Sequence, residues 1–193
     1  GNSKFPTQFW RDRYLTQFLE LMQSYGDIVQ IALAGHTHMD DFRVLSSSGS
    51  TPPVGFRITP AISPIFGNNP AFSILNYSVS TGAVSDIATY YLDLVKGGDN
   101  PQWALEYRFS TAYGYDAFTA RNLETLAAAI HGNPNVKQIF AGYYAASAPS
   151  PITSRNWPFY VCTETQFTAT DYSHCVSQVQ NSPTPAAGVR GDQ

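Results

Sequence analysis

Residues 28–38 read Ile28-Val29-Gln30-Ile31-Ala32-Leu33-Ala34-Gly35-His36-Thr37-His38. The run 28–34 is short and apolar, which predicts a strand covered on both faces. It stops at Gly35, and two histidines at i and i+2 follow at once. On an extended strand such a pair would point to opposite faces. A loop leaving the strand end can bring both imidazoles toward one place. Gly35 gives the backbone freedom for that turn, or lets a ligand approach closely. Neutral imidazoles at a rigid strand end are good ligands for Zn, Fe or Mn. Centres with two ions about 3.5–4 Å apart need this arrangement, one ligand arm to each ion. A His-x-His pair also arises by chance, or merely caps a strand end. The context favours the metal reading: the motif follows an apolar strand and carries half of the chain's four histidines. Asp40 and Asp41 lie just beyond and could supply acceptors behind the metal ligands.

Working outward, residues 6–25 predict an amphipathic helix, with Trp10, Tyr14, Leu15, Phe18, Leu19 and Met22 at helical spacing. Gly26-Asp27 ends it. On the far side, strands are expected over 42–45, 54–59, 72–79 and 84–94. Residues 46–53 form a turn, and Ser80-Thr81-Gly82 makes a hairpin connection. The segment 60–70, with three prolines and Gly67-Asn68-Asn69, reads as an irregular site wall. After residue 97 the character changes. A helix is expected to begin around Trp103, Tyr107 and Phe109. Further helices are expected over 119–131, 136–146 and 166–180, with 147–158 as loop. The tail 181–193 reads as disordered.

Of the 193 residues, 43% are hydrophobic and only 13% are charged, about half the usual charged fraction. That composition excludes a disordered chain and suggests that part of the surface is covered by something else. Net charge is −3, without a Lys/Arg run, which excludes nucleic-acid polymer binding through a basic stripe. No apolar stretch of about twenty residues is present, so no transmembrane segment is expected. Cys162 and Cys175 are either two buried thiols or a disulfide closing a short loop. The sparse lysines and the many Tyr, Asn, Ser and Thr suit an exported protein and hence the bridge.

Several elements in order resemble the calcineurin-like metallophosphoesterases, and among them the acid sphingomyelinase-like branch. They are Gly35-His36-Thr37-His38, then Pro60-Ala61-Ile62-Ser63-Pro64, Asn68-Asn69-Pro70 and Tyr90-Tyr91-Leu92-Asp93-Leu94. Trp103-Ala104-Leu105-Glu106-Tyr107 and Thr111-Ala112-Tyr113 follow, and the series closes on Cys162 and Tyr172-Ser173-His174-Cys175. The resemblance covers residues 6–180. It implies an α/β fold: the C-terminal half of a four-layer α/β/β/α sandwich over 1–96, a helical subdomain with a disulfide over 97–180, and a disordered tail over 181–193. It also implies that His36 and His38 bind two divalent metal ions, zinc being usual in the family, and that Asp40 stands behind them. Ile65, Phe66 and Asn68 would line the substrate, a nucleotide-type or sphingomyelin-type phosphodiester.

The family's remaining ligands, an Asp-x-His and a Gly-Asn-His among them, do not occur in this chain. No catalytic acid or base is therefore assigned here. The resemblance implies an N-terminal part of the same enzyme, nicked or present as a separate chain, as partner. A secreted, periplasmic or lysosomal setting is expected, and Asn76-Tyr77-Ser78 has the form of a glycosylation acceptor. The alternative is a non-catalytic binding or scaffold module of the same fold. His131 reads as a partner of a helix C-terminus, and Trp10, Trp103 and Trp157 as core or interface anchors.

Overall fold

In the computed structural model, which describes residues 9–181, the strand Val54–Ile58 (β3) is buried at every position. Ala32–Ala34 (β1) pairs with it in parallel, and Asp41–Leu45 (β2) pairs with it antiparallel, giving the order β1-β3-β2. The burial expected of 28–34 therefore belongs to β3. Only three residues of that run form a strand, and Leu33 is 58% exposed. The physical reason is position: β1 is an edge strand among the described residues, with neighbours on one side only. Gly55 explains how closely the sheet is covered. A Cβ there would lie 2.9 Å from Leu123 Cδ1 and 3.3 Å from Ala120 Cα, so a larger residue would force the Leu123 side chain and the helix above it to shift.

That helix is Ala120–Gly132 (α3), whose buried face is Leu123, Leu126, Ala127 and Ile130. Thr119 caps it, its hydroxyl oxygen accepting from the Asn122 amide at 3.2 Å. His131 lies in its last turn, as expected. Pro134–Tyr143 (numbered α4 below) follows directly, with Asn133 as the capping acceptor. The first helix, Asp12–Ser24 (α1), is amphipathic yet has no buried residue. The three expected residues 6–8 of that helix lie outside the described residues.

The second sheet has the order β4-β5-β6, formed by Ala71–Tyr77, Val84–Leu92 and Trp103–Arg108 in turn. The expected helix start at Trp103 is thus corrected to a strand. Trp103, Leu105 and Tyr107 repeat with period two, and each pairs with a residue of β5. A bulge between Thr89 and Tyr90 places Tyr107 inward, opposite Thr89, while Leu105 and Trp103 are 46% and 45% exposed. Trp103 is therefore an exposed residue, and so is Trp10, whereas Trp157 is buried. The helix that does follow, Phe109–Tyr113 (α2), is only five residues long.

One cluster of buried residues unites the first sheet, β5 and the C-terminal helices, from Met39, Phe42 and Val44 through Val84 and Ile87 to Leu123, Phe140, Trp157 and Val176. The segment expected as loop up to residue 158 ends earlier, because Trp157–Val161 (α5) is helical. Ala169–Asn181 (α6) closes the described chain and takes in Asn181, the first residue of the expected tail; the rest of that tail, 182–193, lies outside the described residues. The architecture is mixed α/β, and no helix among the described residues is long and apolar enough to cross a membrane.

A disulfide joins Cys162 to Cys175 across a separation of 13 residues and ties the end of α5 to α6. Closing a loop of that length stabilises mainly by restricting the unfolded chain. Replacing the pair by Cys162→Ala and Cys175→Ser is expected to lower stability by about 2–4 kcal/mol. Equilibrium denaturation measures this, and an unchanged midpoint would mean that helix packing alone holds α6.

Candidate metal centre

The chain leaves β1 through Gly35-His36-Thr37-His38. His36 and His38 both adopt left-handed backbone, with φ of 85° and 66°. Gly35 does not, so the freedom expected of the glycine is supplied by the histidines instead. Left-handed conformations at non-glycine residues cost roughly 1–3 kcal/mol each and persist where the surroundings over-determine them. Here they are held from several sides. The Thr59 amide donates to the Ala34 carbonyl at 2.8 Å, the Ala61 amide to the His38 carbonyl at 3.3 Å, and the Asp40 amide to the Tyr144 carbonyl at 3.0 Å.

The imidazoles differ in setting. His36 is exposed, with the Phe9 ring edge-on at 4.7 Å between centroids. His38 is half-buried, with the Phe66 ring edge-on at 4.9 Å. Its Nδ1 is buried and has no hydrogen-bond partner. A buried ring nitrogen left in this state requires a further group, and an imidazole nitrogen is a natural metal ligand. His38 Nδ1 is thus a fitting donor for a metal ion, while His36 presents its imidazole at the surface. Among the described residues, no group of three or more His, Cys, Asp or Glu side chains is placed to hold an ion, so other donors would have to come from outside that set.

Asp40 is not bonded to either histidine. Its carboxylate accepts from both terminal nitrogens of Arg57, from the Tyr107 hydroxyl at 2.8 Å and from the Thr89 hydroxyl at 3.0 Å. Arg57 also donates to Ser73 Oγ at 3.0 Å. Burial alone would lower the Arg57 pKa, but Asp40 and Tyr107 reverse that and hold it above its ordinary value. Burial pushes the Tyr107 hydroxyl well up, so it donates as a neutral phenol.

The loop 60–70 arranges its candidates unequally. Ile65 and Phe66 are 69% and 58% exposed, and Phe66 stands against His38. Asn68 is buried: its side-chain amide donates to the Ser63 and Asn69 carbonyls, both at 3.1 Å. Asn69 ties the loop to the turn that follows α4 by donating to the Ala146 carbonyl at 2.9 Å. Asn68 thus holds the loop's shape, while Phe66 is the member beside His38.

Sequence reasoning missed Arg57, Thr89, Tyr107 and Glu106. A lone arginine inside Val54-Gly55-Phe56-Arg57-Ile58 was the available signal, since a charge within a buried strand implies a partner. Glu106 sits at the β6 bulge and accepts from Ser147 Oγ at 2.8 Å, while its Oε2 is buried without a partner. Burial, then the nearby Asp40 charge, raises its pKa to about 8.

The family model described as the acid sphingomyelin phosphodiesterase C-terminal region matches residues 53–182. The chain belongs to that family. It is 25% identical over 189 residues to acid sphingomyelinase-like phosphodiesterase 3b of Homo sapiens, covering 92% of this chain and 42% of that protein. It is also 25% identical over 185 residues to cyclic GMP-AMP phosphodiesterase SMPDL3A of Rattus norvegicus, covering 89% and 41%. Sphingomyelin phosphodiesterase B of Dictyostelium discoideum is 25% identical over 186 residues, covering 89% and 29%. The chain thus spans less than half the length of these curated relatives, which are named as phosphodiesterases. Gly35-His36-Thr37-His38 precedes the segment matched by the family model and forms the turn that follows β1.

The raised Glu106 carboxyl makes a pH prediction. Its folded pKa lies above its ordinary value of 4.5, so the stability associated with its proton is fully present below about 4.5 and is lost as pH rises through about 8. Glu106→Gln keeps the Ser147 bond and removes the titration. It is expected to leave stability at pH 4.5 nearly unchanged and to raise it at pH 8.5 by on the order of 1–3 kcal/mol. Denaturation at the two pH values checks this, and an equal effect at both would contradict it.

Proposed function

We propose that this chain supplies two histidine ligands, His36 and His38, to a two-metal phosphodiesterase centre, and that an N-terminal part of the same enzyme completes it. The observation that carries the reading is His38, held in left-handed backbone with a buried, unpartnered Nδ1, inside a member of a phosphodiesterase family. The supporting fold reading is a four-layer α/β/β/α sandwich, in which strands of the N-terminal part would continue the sheet beyond β1. The exposed Leu33 and the absence of any buried residue on α1 support that placement.

Bound divalent ions, zinc in the first instance, would activate water, polarise the phosphoryl oxygens and balance charge at an in-line transition state. The chain's own part is to bind and orient. His36 and His38 present imidazoles as ligands and not as bases. The hydrogen bonds of Thr59, Ala61 and Asp40 to neighbouring backbone keep the turn from relaxing. Phe66, exposed beside His38, offers a ring to the organic part of the substrate, and Ile65 extends that apolar wall. The relatives' printed activities, on sphingomyelin and on cyclic GMP-AMP, support a phosphodiester of nucleotide or sphingomyelin type. An exported or lysosomal setting is supported by the disulfide and by buried carboxyls, Glu106, Glu164 and Asp41, whose protonated forms burial favours.

The test uses the full-length enzyme. His36→Asn and His38→Asn are each expected to lower the zinc stoichiometry from two toward one, and to reduce hydrolysis of a nucleotide diester or of sphingomyelin by roughly 100-fold or more. Unchanged zinc content and turnover in both variants would overturn the ligand assignment. A fully zinc-loaded wild type inert toward both substrates would favour a binding module instead.

A further inference from the structure

The carboxylate of Asp40 lies two residues beyond His38, and each of its oxygens accepts two hydrogen bonds. Oδ1 accepts from Arg57 Nη1 and Tyr107 Oη, and Oδ2 accepts from Arg57 Nη2 at 2.6 Å and Thr89 Oγ1 at 3.0 Å. All four side chains are buried. They come from different places: Arg57 from the next-to-last position of β3, Thr89 from β5, Tyr107 from β6 and Asp40 from the turn itself. Between His38 and Asp40 stands only Met39, whose side chain is in the core. The segment is therefore fixed at its far end by the carboxylate, at its amide by Tyr144, and at the His38 carbonyl by Ala61. A left-handed histidine is what such anchoring would have to hold in place.

We infer that Arg57 is a positioning residue for His38: through Asp40, and aided by Tyr107, it holds the backbone that sets the direction from which the His38 imidazole meets a metal ion. The inference rests on the metal reading above for its consequence, and on the hydrogen-bond geometry for its mechanism. An ion pair that served only to join the two sheets would not need to end two residues from a ligand in strained backbone. Arg57 acts here through another residue and touches neither substrate nor metal.

The experiment uses full-length protein and three variants. Arg57→Lys keeps the charge but loses the forked contact with both Asp40 oxygens. Tyr107→Phe removes one hydroxyl. Ser73→Ala removes a partner of Arg57 that does not touch Asp40. The first readout is amide hydrogen exchange in metal-free protein at Asp40 and Ala61, whose N–H groups hold the two ends of the segment. The second is affinity for Zn2+ by chelator competition. Arg57→Lys is expected to speed exchange at both amides relative to the β4–β5 ladder and to weaken Zn2+ binding by about tenfold, the lower end of what outer supports of metal ligands contribute. Tyr107→Phe shifts both in the same direction by less, and Ser73→Ala shifts neither.

Unchanged exchange at Asp40 and Ala61 together with unchanged affinity in a folded Arg57→Lys protein would overturn the inference. So would a uniform rise in exchange across both sheets, which marks a general loss of stability. Should Arg57→Lys fail to fold, Tyr107→Phe decides by the same criteria. Should wild-type protein bind no Zn2+, the metal reading fails, and the exchange data alone decide whether Arg57 holds the His38 segment.

Discussion

The buried pair of Arg57 and Asp40 is the constraint around which the two sheets and the histidine turn are arranged. Removing two charges from water is expensive, and such a pair stabilises only when its remaining hydrogen-bonding capacity is met. Asp40 meets that condition with four bonds, from Arg57, Tyr107 and Thr89. Arg57 meets it incompletely, since its Nε is buried without a partner. The pair's value therefore lies more in placement than in net stability. Its partners sit on β3, β5 and β6, so its geometry is satisfied only when both sheets and the turn are in register. An apolar core tolerates sliding, whereas a forked guanidinium facing a carboxylate does not.

A second charged group, formed by Asp41, Arg43 and Glu164, contrasts with the first. Arg43 lies 3.2 Å from Asp41 and 4.0 Å from Glu164, and both Glu164 oxygens are buried without a hydrogen bond. Burial raises the pKa of Glu164 well above its ordinary value, with the Asp41 charge adding to the effect. One cation between two buried acids is best satisfied when one acid holds a proton. This group joins β2 to the short turn that begins at the bridged Cys162. The neighbouring layers are thus tied by different means: a forked ion pair two residues from His38, and a cluster of one cation between two buried acids, with a covalent bridge, toward the C-terminal helices.

Much of this could be read from residue order. The Gly-His-Thr-His turn, the hairpin at Ser80-Thr81-Gly82 and the apolar face of α3 all rest on local patterns, and the structure has them where those patterns point. What escaped was decided by long-range partners. The run 28–34 is apolar enough for a central strand, but only its neighbours determine that β1 ends the sheet among the described residues. Trp103 to Tyr107 fits either period over so short a span, and pairing with β5 settles it as a strand. Arg57 and Asp40 are 17 residues apart and Thr89 is 49 from Asp40, separations at which no spacing rule connects them. At the candidate site, the residue types were legible while their division of labour was not. Asp40 supports the backbone through Arg57, Asn68 holds its loop, and Phe66 alone of the loop candidates meets a histidine ring.

The most direct measurement is a crystal structure of the full-length protein grown with zinc, with anomalous differences recorded on either side of the zinc absorption edge. The account predicts two zinc peaks about 3.5–4 Å apart, one on an imidazole nitrogen of His36 and one on an imidazole nitrogen of His38. A zinc-free turn in crystals grown with excess zinc, or peaks only at surface sites away from both histidines, would contradict it.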